Sequence, residues 1–317
     1  MSLGPELVVR QAEPPNAEAR LDLQEGLLTP NSRFYVRSNF PLPTRWPGLV
    51  LDGLVERPQA AVDLSRYERR SHAATLECAG NGRAFLEPPA PGEQWELGAV
   101  STAEWAGVPL AAVLAEAGLR PEAVEVLFEA ADGYARSLPL ETARHPDTLL
   151  VTEMNGEPLP ELHGGPVRVL VPGWYGMAAV KWVTRIAPIA EPFRGHFQVE
   201  RYVIDGQPIR EMAVRAIIVS ARPGSVRGYA WTGRGTIERV ELSADGGRTF
   251  APARLGGSAG PRAWTEWEFD WQPEGPGAHH LLARAIDSEG RVQPLAQSWN
   301  ALGYANNQAR ALTVTVD

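Results

Sequence analysis

The sequence predicts an α+β protein: a mixed domain of strands and short helices over residues 1–207, then an all-β sandwich over residues 208–317. Three observations carry this expectation. The 317 residues include 31 glycines and 28 prolines, which suits many turns and short strands rather than long helices. Within the first two thirds, a helical pattern at Leu110, Val113, Leu114 and Ala117 sits among β-rich runs. Beyond residue 211, short strand-like runs recur between turn signals, the signature of a sandwich.

The elements follow in order. Residues 1–30 are polar and contain prolines, so they read as an extended lead-in, and residues 11–20 have the one disorder-type composition in the chain. Phe34-Tyr35-Val36-Arg37 reads as a short strand stopped by Pro41 and Pro43. The helix over residues 109–117 should stop at Gly118, which tolerates the left-handed conformation of a C-terminal cap. Val124, Val126 and Phe128 alternate as in a strand. Val167 to Val171 forms a second run, ended by Pro172-Gly173, and Lys181 to Ile189 a third. Val203 to Pro208 reads as the linker. In the second domain Ala216 to Val219 begins the strands. Ile237 to Leu242 runs into Ala244-Asp245-Gly246-Gly247-Arg248, a hairpin turn. Trp267, Phe269 and Trp271 alternate with acidic residues, and Leu281 to Ile286 and Ala311 to Val316 complete the set.

Composition excludes several functions. A net charge of −8 argues against a nucleic-acid coat or an anionic membrane surface as partner. No apolar run reaches the roughly 18 residues of a membrane span. The N-terminus lacks a basic and an apolar leader segment, so a cytoplasmic location is expected, or a periplasmic one if a leader has been removed. Phosphate-binding P-loop, nucleophile-elbow and paired-histidine metal patterns are missing, and His279-His280 reads as a loop pair.

Cys78 is the one cysteine, which rules out an intramolecular disulfide, a cysteine-rich zinc site and an iron–sulfur cluster. It is either a small core residue or a reactive or ligating thiolate. Gly80-Asn81-Gly82 marks a loop, and Arg83 places a permanent cation near the sulfur. Arg37, Arg83, Arg168 and Lys181 all fall in turn-rich segments of an acidic chain. Singly each reads as a solvated surface charge; converging, they would form a local anion site. His163 reads alone as a surface or hydrogen-bonded histidine, yet the turn Gly164-Gly165-Pro166 after it would suit presenting its ring to a phosphate.

Together these segments resemble the sulfite oxidase family of molybdopterin oxidoreductases, in its haem-free, bacterial type. Phe34-Tyr35-Val36-Arg37 is similar to that family's first loop, and Cys78-Ala79-Gly80-Asn81-Gly82-Arg83 to its cysteine signature. Glu153 to Leu159, His163 to Gly173 and Val180-Lys181-Trp182 resemble its central signature. Gly228-Tyr229-Ala230-Trp231, Ser243 to Gly247, Arg284 to Asp287 and Trp299-Asn300 resemble its immunoglobulin-like dimerisation domain. Ordered motifs spanning residues 30–317 are more specific than any one of them.

The resemblance implies one molybdenum–molybdopterin per chain, with Cys78 as the protein's sulfur ligand to the metal. It implies cofactor contacts from Tyr35, Val36, Arg37, Ser38, Asn39, Asp132, His163, Arg168, Ala179, Val180 and Lys181. Tyr202 would stand beside the metal. Arg37 and Arg83 would bind a small anionic substrate, with Trp95 lining its pocket. The reaction implied is oxygen-atom transfer, first of all sulfite to sulfate, with a separate electron acceptor. The alternative is the same cofactor acting on another substrate, as an S-oxide reductase or a non-sulfite oxidase. A homodimer through the second domain is implied. No haem is expected, because the His-Pro-Gly-Gly motif of a haem domain is absent. Departures fall in the substrate pocket. The family's asparagine and histidine of the first loop are Ser38 and Asn39, the acidic residue before the tyrosine is Arg201, and an arginine contributed by the second domain is Leu302.

Overall fold

Eight consecutive residues of the strand Arg70–Glu77 pair antiparallel with Val100–Pro109, from Arg70 opposite Gly107 to Glu77 opposite Val100. The structure is a computed structural model and describes residues 3–296 and 298–316. The ladder extends through Leu149–Met154 to Arg168–Leu170, with Glu157–Pro158 on its margin, giving a five-stranded sheet. One face packs Ala74, Leu76, Ala103, Trp105 and Val151 into a core with Phe34 and Tyr35. A four-stranded sheet of Val50–Leu51, Val183–Ile189, Glu125–Ala130 and Ala135–Pro139 packs into the larger core nearby. Leu110–Ala117 is the α-helix expected. Leu110, Val113, Leu114 and Ala117 are fully buried, and Gly118 caps it at φ +73°, its N–H donating to the carbonyls of Leu114 and Ala115.

The second region holds two four-stranded sheets. Arg215–Arg222, Ser225–Trp231, Thr265–Phe269 and Arg254–Ser258 make one; Ala251–Pro252, Ile237–Ser243, Gly277–Asp287 and Leu312–Val316 make the other. Val226, Ala230 and Trp267 of the first meet Val240, Leu242, Leu281 and Ala283 of the second in a common core. These residues alternate along their strands because successive side chains point to opposite faces. The whole is mostly β, as the turn formers imply. Its α-helices among the described residues are Leu110–Ala117, Leu140–Ala143 and His196–Val199, and none is long and apolar enough to cross a membrane.

Four expectations need correction. The N-terminal lead-in is a hairpin, Leu7–Gln11 against Asn16–Ala19, and all four residues of its second strand are buried. Polar composition misled there because the polar groups have distant partners: Glu18 accepts from the Gly98 N–H at 3.0 Å, and Asn16 from the Ser38 N–H at 2.9 Å. Phe34 to Arg37 forms no strand beyond one bridge from Val36 to Ala17. Lys181 and Trp182 precede their strand, which begins at Val183, because Trp182 takes a left-handed φ of +49° that no strand accommodates. The segment expected as the linker, Val203 to Pro208, is itself a short hairpin, which leaves that expectation standing. His279 and His280 lie on the long strand Gly277–Asp287, paired with Val314 and Thr313, so they are not in a loop.

Trp267 is 2% exposed at the centre of the sandwich core. Trp267→Ala should cost about 3–5 kcal/mol, read as a lowered midpoint of urea unfolding with an unchanged slope.

Candidate functional site

Cys78 directly follows the best-paired strand. Its N–H continues the ladder to the Ala99 carbonyl at 2.8 Å, and the chain then turns, with the Asn81 N–H on the Cys78 carbonyl at 2.9 Å and the Arg83 N–H on that of Gly80 at 3.0 Å. Gly80 lets the Arg83 guanidinium come close: a Cβ there would lie 2.6 Å from it, and the guanidinium would have to shift. Cys78 is a free thiol, 6% exposed. Burial pushes its acidity down, that is, its pKa up, while Arg37 is the largest influence in the opposite direction.

Two clefts meet at this sulfur. The first, about 690 Å³ counted to its open mouth, is lined by Tyr35, Arg37, Ser38, Asn39, Cys78, Asp132, His163, Arg168, Ala179, Val180, Lys181 and Tyr202. The structure therefore gathers these sequence-selected residues from distant segments. Val36 stands apart. Its side chain packs with Leu7 and Ala17, and its backbone exchanges two hydrogen bonds with Ala17.

The chemistry of the first cleft is set by two cations without an ion-pair partner among the described residues, buried Arg168 and half-buried Lys181. Arg168 donates to the carbonyls of His163 at 2.8 Å and Ala179 at 3.1 Å and lies over the Trp105 ring, while its Nε–H has no partner. Lys181 Nζ donates to Ser38 Oγ at 2.9 Å and to the Leu162 carbonyl at 3.1 Å. Neither forms an ion pair among the described residues. Asp132 is the acid in the lining, and it accepts from the Tyr134 N–H at 3.0 Å; burial raises its pKa. Burial lowers Arg168 to about 10, and burial followed by repulsion from Arg168 takes Lys181 well below its ordinary value. Desolvated positive charge of this kind is relieved by an anion in the cleft. Gly164 permits the crowding: at φ +104°, a Cβ on it would meet the Lys181 Cβ at 2.8 Å.

His163 contributes differently from the sequence expectation. Its ring is buried edge-on to Phe34, and Nε2 pairs with the Asn31 carbonyl at 3.0 Å. The carbonyl only accepts, so Nε2 carries the hydrogen. Burial lowers the imidazole to about 3, so it is neutral near pH 7.

The second cleft, about 720 Å³, is lined by Arg37, Asn39, Cys78, Arg83, Glu93, Trp95, His196, Phe197, Arg201, Tyr202 and Tyr304, with Pro91 and Gly92 at its edge. Arg83 donates to the carbonyls of Glu93 at 2.8 Å and Leu302 at 3.1 Å and lies over the Tyr304 ring. Leu302 thus reaches the site through its backbone. The Arg37 guanidinium donates to Asn39 Oδ1 at 2.7 Å, to Asn16 Oδ1 at 3.1 Å and to the Ser38 carbonyl, and stands 3.9 Å from the Glu93 carboxylate. Tyr202 donates to the same Asn39 Oδ1 at 3.2 Å from a strained φ of +58°. Trp95 is fully buried and its indole N–H has no partner. Arg37, Asn39, Cys78 and Tyr202 line both clefts, so the thiol is approached from two sides.

Sequence reasoning missed Glu93, Tyr134, His196, Phe197 and Tyr304. Tyr134 is held by its hydroxyl on the Met177 carbonyl at 2.9 Å, a contact across 43 positions that no local pattern announces. Glu93 follows Pro91-Gly92, and that turn was the available signal.

Because the unfolded imidazole protonates near 6.5 and the folded one near 3, the unfolded chain binds the extra proton between these values. The His163 contribution to stability is therefore complete above pH 6.5 and is lost as the pH falls towards 3, by up to about 1.4 kcal/mol per unit. Urea unfolding at a series of pH values should show this slope reduced in His163→Gln.

Comparison with known proteins finds two family models on the chain. The oxidoreductase molybdopterin binding domain matches residues 39–197, and the Mo-co oxidoreductase dimerisation domain matches residues 196–316. Sulfite oxidase of Gallus gallus is 36% identical over 94% of this chain and 76% of its own. Mitochondrial sulfite oxidase of Homo sapiens is 35% identical over 96% of this chain, which spans 64% of the human protein. Sulfite oxidase of Arabidopsis thaliana is 32% identical over 95% of this chain and 92% of its own. Among solved structures, the sulfane dehydrogenase SoxCD from Paracoccus pantotrophus superposes with a TM-score of 0.87 at 31% identity, over 99% of this chain and 88% of the other.

Proposed function

The chain belongs to the sulfite oxidase family of molybdopterin-binding oxidoreductases, and from that premise we propose that it oxidises sulfite to sulfate at a molybdenum–molybdopterin coordinated by Cys78. The observation that carries the reading is the meeting of two cation-lined clefts at one buried thiol. The residues present fit the cofactor. Its phosphate would answer the unpaired charge of Arg168 and Lys181, including the orphaned Arg168 Nε–H. Tyr35, Ser38, Asn39, Asp132, Ala179 and Val180 would wall the pterin, and His163 would pack as a neutral ring. Val36 would act through its backbone and through the packing that places Tyr35 and Arg37. When bound, the group supplies two-electron redox chemistry and oxygen-atom transfer.

The chain's own residues do the rest. Arg37 and Arg83 would orient the anion in the second cleft, with the free Trp95 N–H as a further donor. Tyr202, held on Asn39, would present its ring beside the thiol side of the cleft. Trp95, Phe197 and Tyr304 would exclude water around the reacting sulfur. Sulfite and water give sulfate, two protons and two electrons, and the electrons would leave to a separate acceptor. We place the boundary between the catalytic and dimerisation domains at residues 207 and 208, and infer a homodimer through the latter from the matched dimerisation model.

A second reading keeps the cofactor and takes a less charged sulfur substrate. Leu302 adds a carbonyl and no cation, Glu93 brings a carboxylate to 3.9 Å from Arg37, and aromatic rings line much of the wall. Steady-state turnover with ferricyanide decides between the two: sulfite turnover supports the first, and its absence in molybdenum-loaded protein supports the second.

Cys78→Ser should lower bound molybdenum at least ~10-fold by elemental analysis while the fold is retained by circular dichroism. Arg83→Met should raise KM for sulfite roughly 10–100-fold, the loss of about 1.4–2.8 kcal/mol of charge-assisted binding. A wild-type protein without molybdenum, from a host that makes the cofactor, would sink the proposal.

A further inference from the structure

Glu77 immediately precedes Cys78 and is 1% exposed. A carboxylate so placed needs donors, and its own segment supplies one: Asn81 Nδ2 reaches Oε1 at 3.0 Å. The others come from the sandwich. Arg215 Nη1 donates to Oε1 at 2.8 Å, and Trp231 Nε1 donates to Oε2 at 2.9 Å. Arg215 is 2% exposed and Trp231 1%, so the whole group is sealed from water. The remainder of the cysteine loop is held from the same side. The Ala305 N–H donates to the Ala79 carbonyl at 2.8 Å, and Asn306 Nδ2 to the Gly82 carbonyl at 2.8 Å. Both ends of the turn that carries the thiol are therefore bonded to residues beyond 208.

We propose that the second region, matched as a dimerisation domain, also sets the geometry of the thiol: Arg215 and Trp231 are positioning residues that fix the Cys78 loop through Glu77. The physical basis is that a buried carboxylate tolerates little displacement from its donors. Glu77 ends the strand paired with Val100–Pro109, so its side chain points from a rigid ladder, and the donors that meet it select one conformation of the turn that follows. The dependence on Cys78 as metal ligand rests on the function proposed above; the mechanical coupling does not.

Hydrogen exchange of the full-length chain, followed on the peptide covering residues 77–86, tests the coupling. Trp231→Phe keeps an aromatic, apolar side chain and removes the N–H donor to Glu77. It should accelerate exchange in that peptide at least ~10-fold. Trp267→Ala weakens the sandwich core without touching the loop, and at equal loss of global stability should leave the peptide unchanged. Glu77→Gln serves as the second variant if Trp231→Phe does not fold. In molybdenum-loaded protein, Trp231→Phe should also shift the g-values of the Mo(V) paramagnetic signal per metal bound, which a general loss of stability would not do. The proposal is overturned if Trp231→Phe and Trp267→Ala fall on one line of exchange against stability, or if loaded Trp231→Phe gives the wild-type signal. If the wild type binds no molybdenum, the proposed function fails while the exchange experiment still decides the coupling.

Discussion

A carboxylate removed from water requires a donor for each oxygen, and at Glu77 this requirement joins the two halves of the molecule. The oxygens are met by Asn81 from the same turn and by Arg215 and Trp231 from the sandwich. Removing one member of such a pair leaves a buried charge without compensation, at a cost of about 3–5 kcal/mol. The ladder from Arg70 to Glu77 brings the carboxylate to the junction, and the thiol follows by one residue. The position of the site is thus a consequence of how strand pairing ends.

Electrostatics on the two sides of Cys78 run against the net charge of −8. Buried Arg168 and half-buried Lys181 line one side, and Arg37 and Arg83 line the other. Net charge describes the surface seen from a distance, whereas a cleft with low-dielectric walls keeps its own sign. The first cleft carries its cations with few acids, which suits a bound anion. The second tempers them with Glu93 and surrounds them with aromatic rings. That difference is why the cofactor side of the site is chemically better defined than the substrate side.

Much of the fold was legible wherever local pattern decides structure. The helix at Leu110–Ala117 and its Gly118 cap followed from spacing and from the left-handed tolerance of glycine. The strands of the sandwich followed from alternation between turns. The N-terminal hairpin was not legible, because Asn16 and Glu18 are buried by bonds to Ser38 and Gly98, and nothing near residues 16–18 records those partners. The left-handed φ of Trp182, which delays its strand to Val183, was equally hidden.

For the site, the sequence by itself determined the chemical parts: one thiol in a glycine-containing turn, four basic residues in turn-rich segments, and the ordered motifs that carry the family resemblance. Only the tertiary structure decided how those parts meet. It showed that Val36 faces a separate core, that His163 is a neutral ring bound to Asn31, that Leu302 reaches Arg83 through its carbonyl, and that Arg215 and Trp231 close around Glu77. The physical reason is the range of the forces involved. Propensity, turn chemistry and motif spacing act over a few residues and are written locally. Burial and hydrogen-bond satisfaction are settled between groups far apart in sequence, from 22 positions for Asn16 and Ser38 to 219 for Arg83 and Leu302, once the chain has folded.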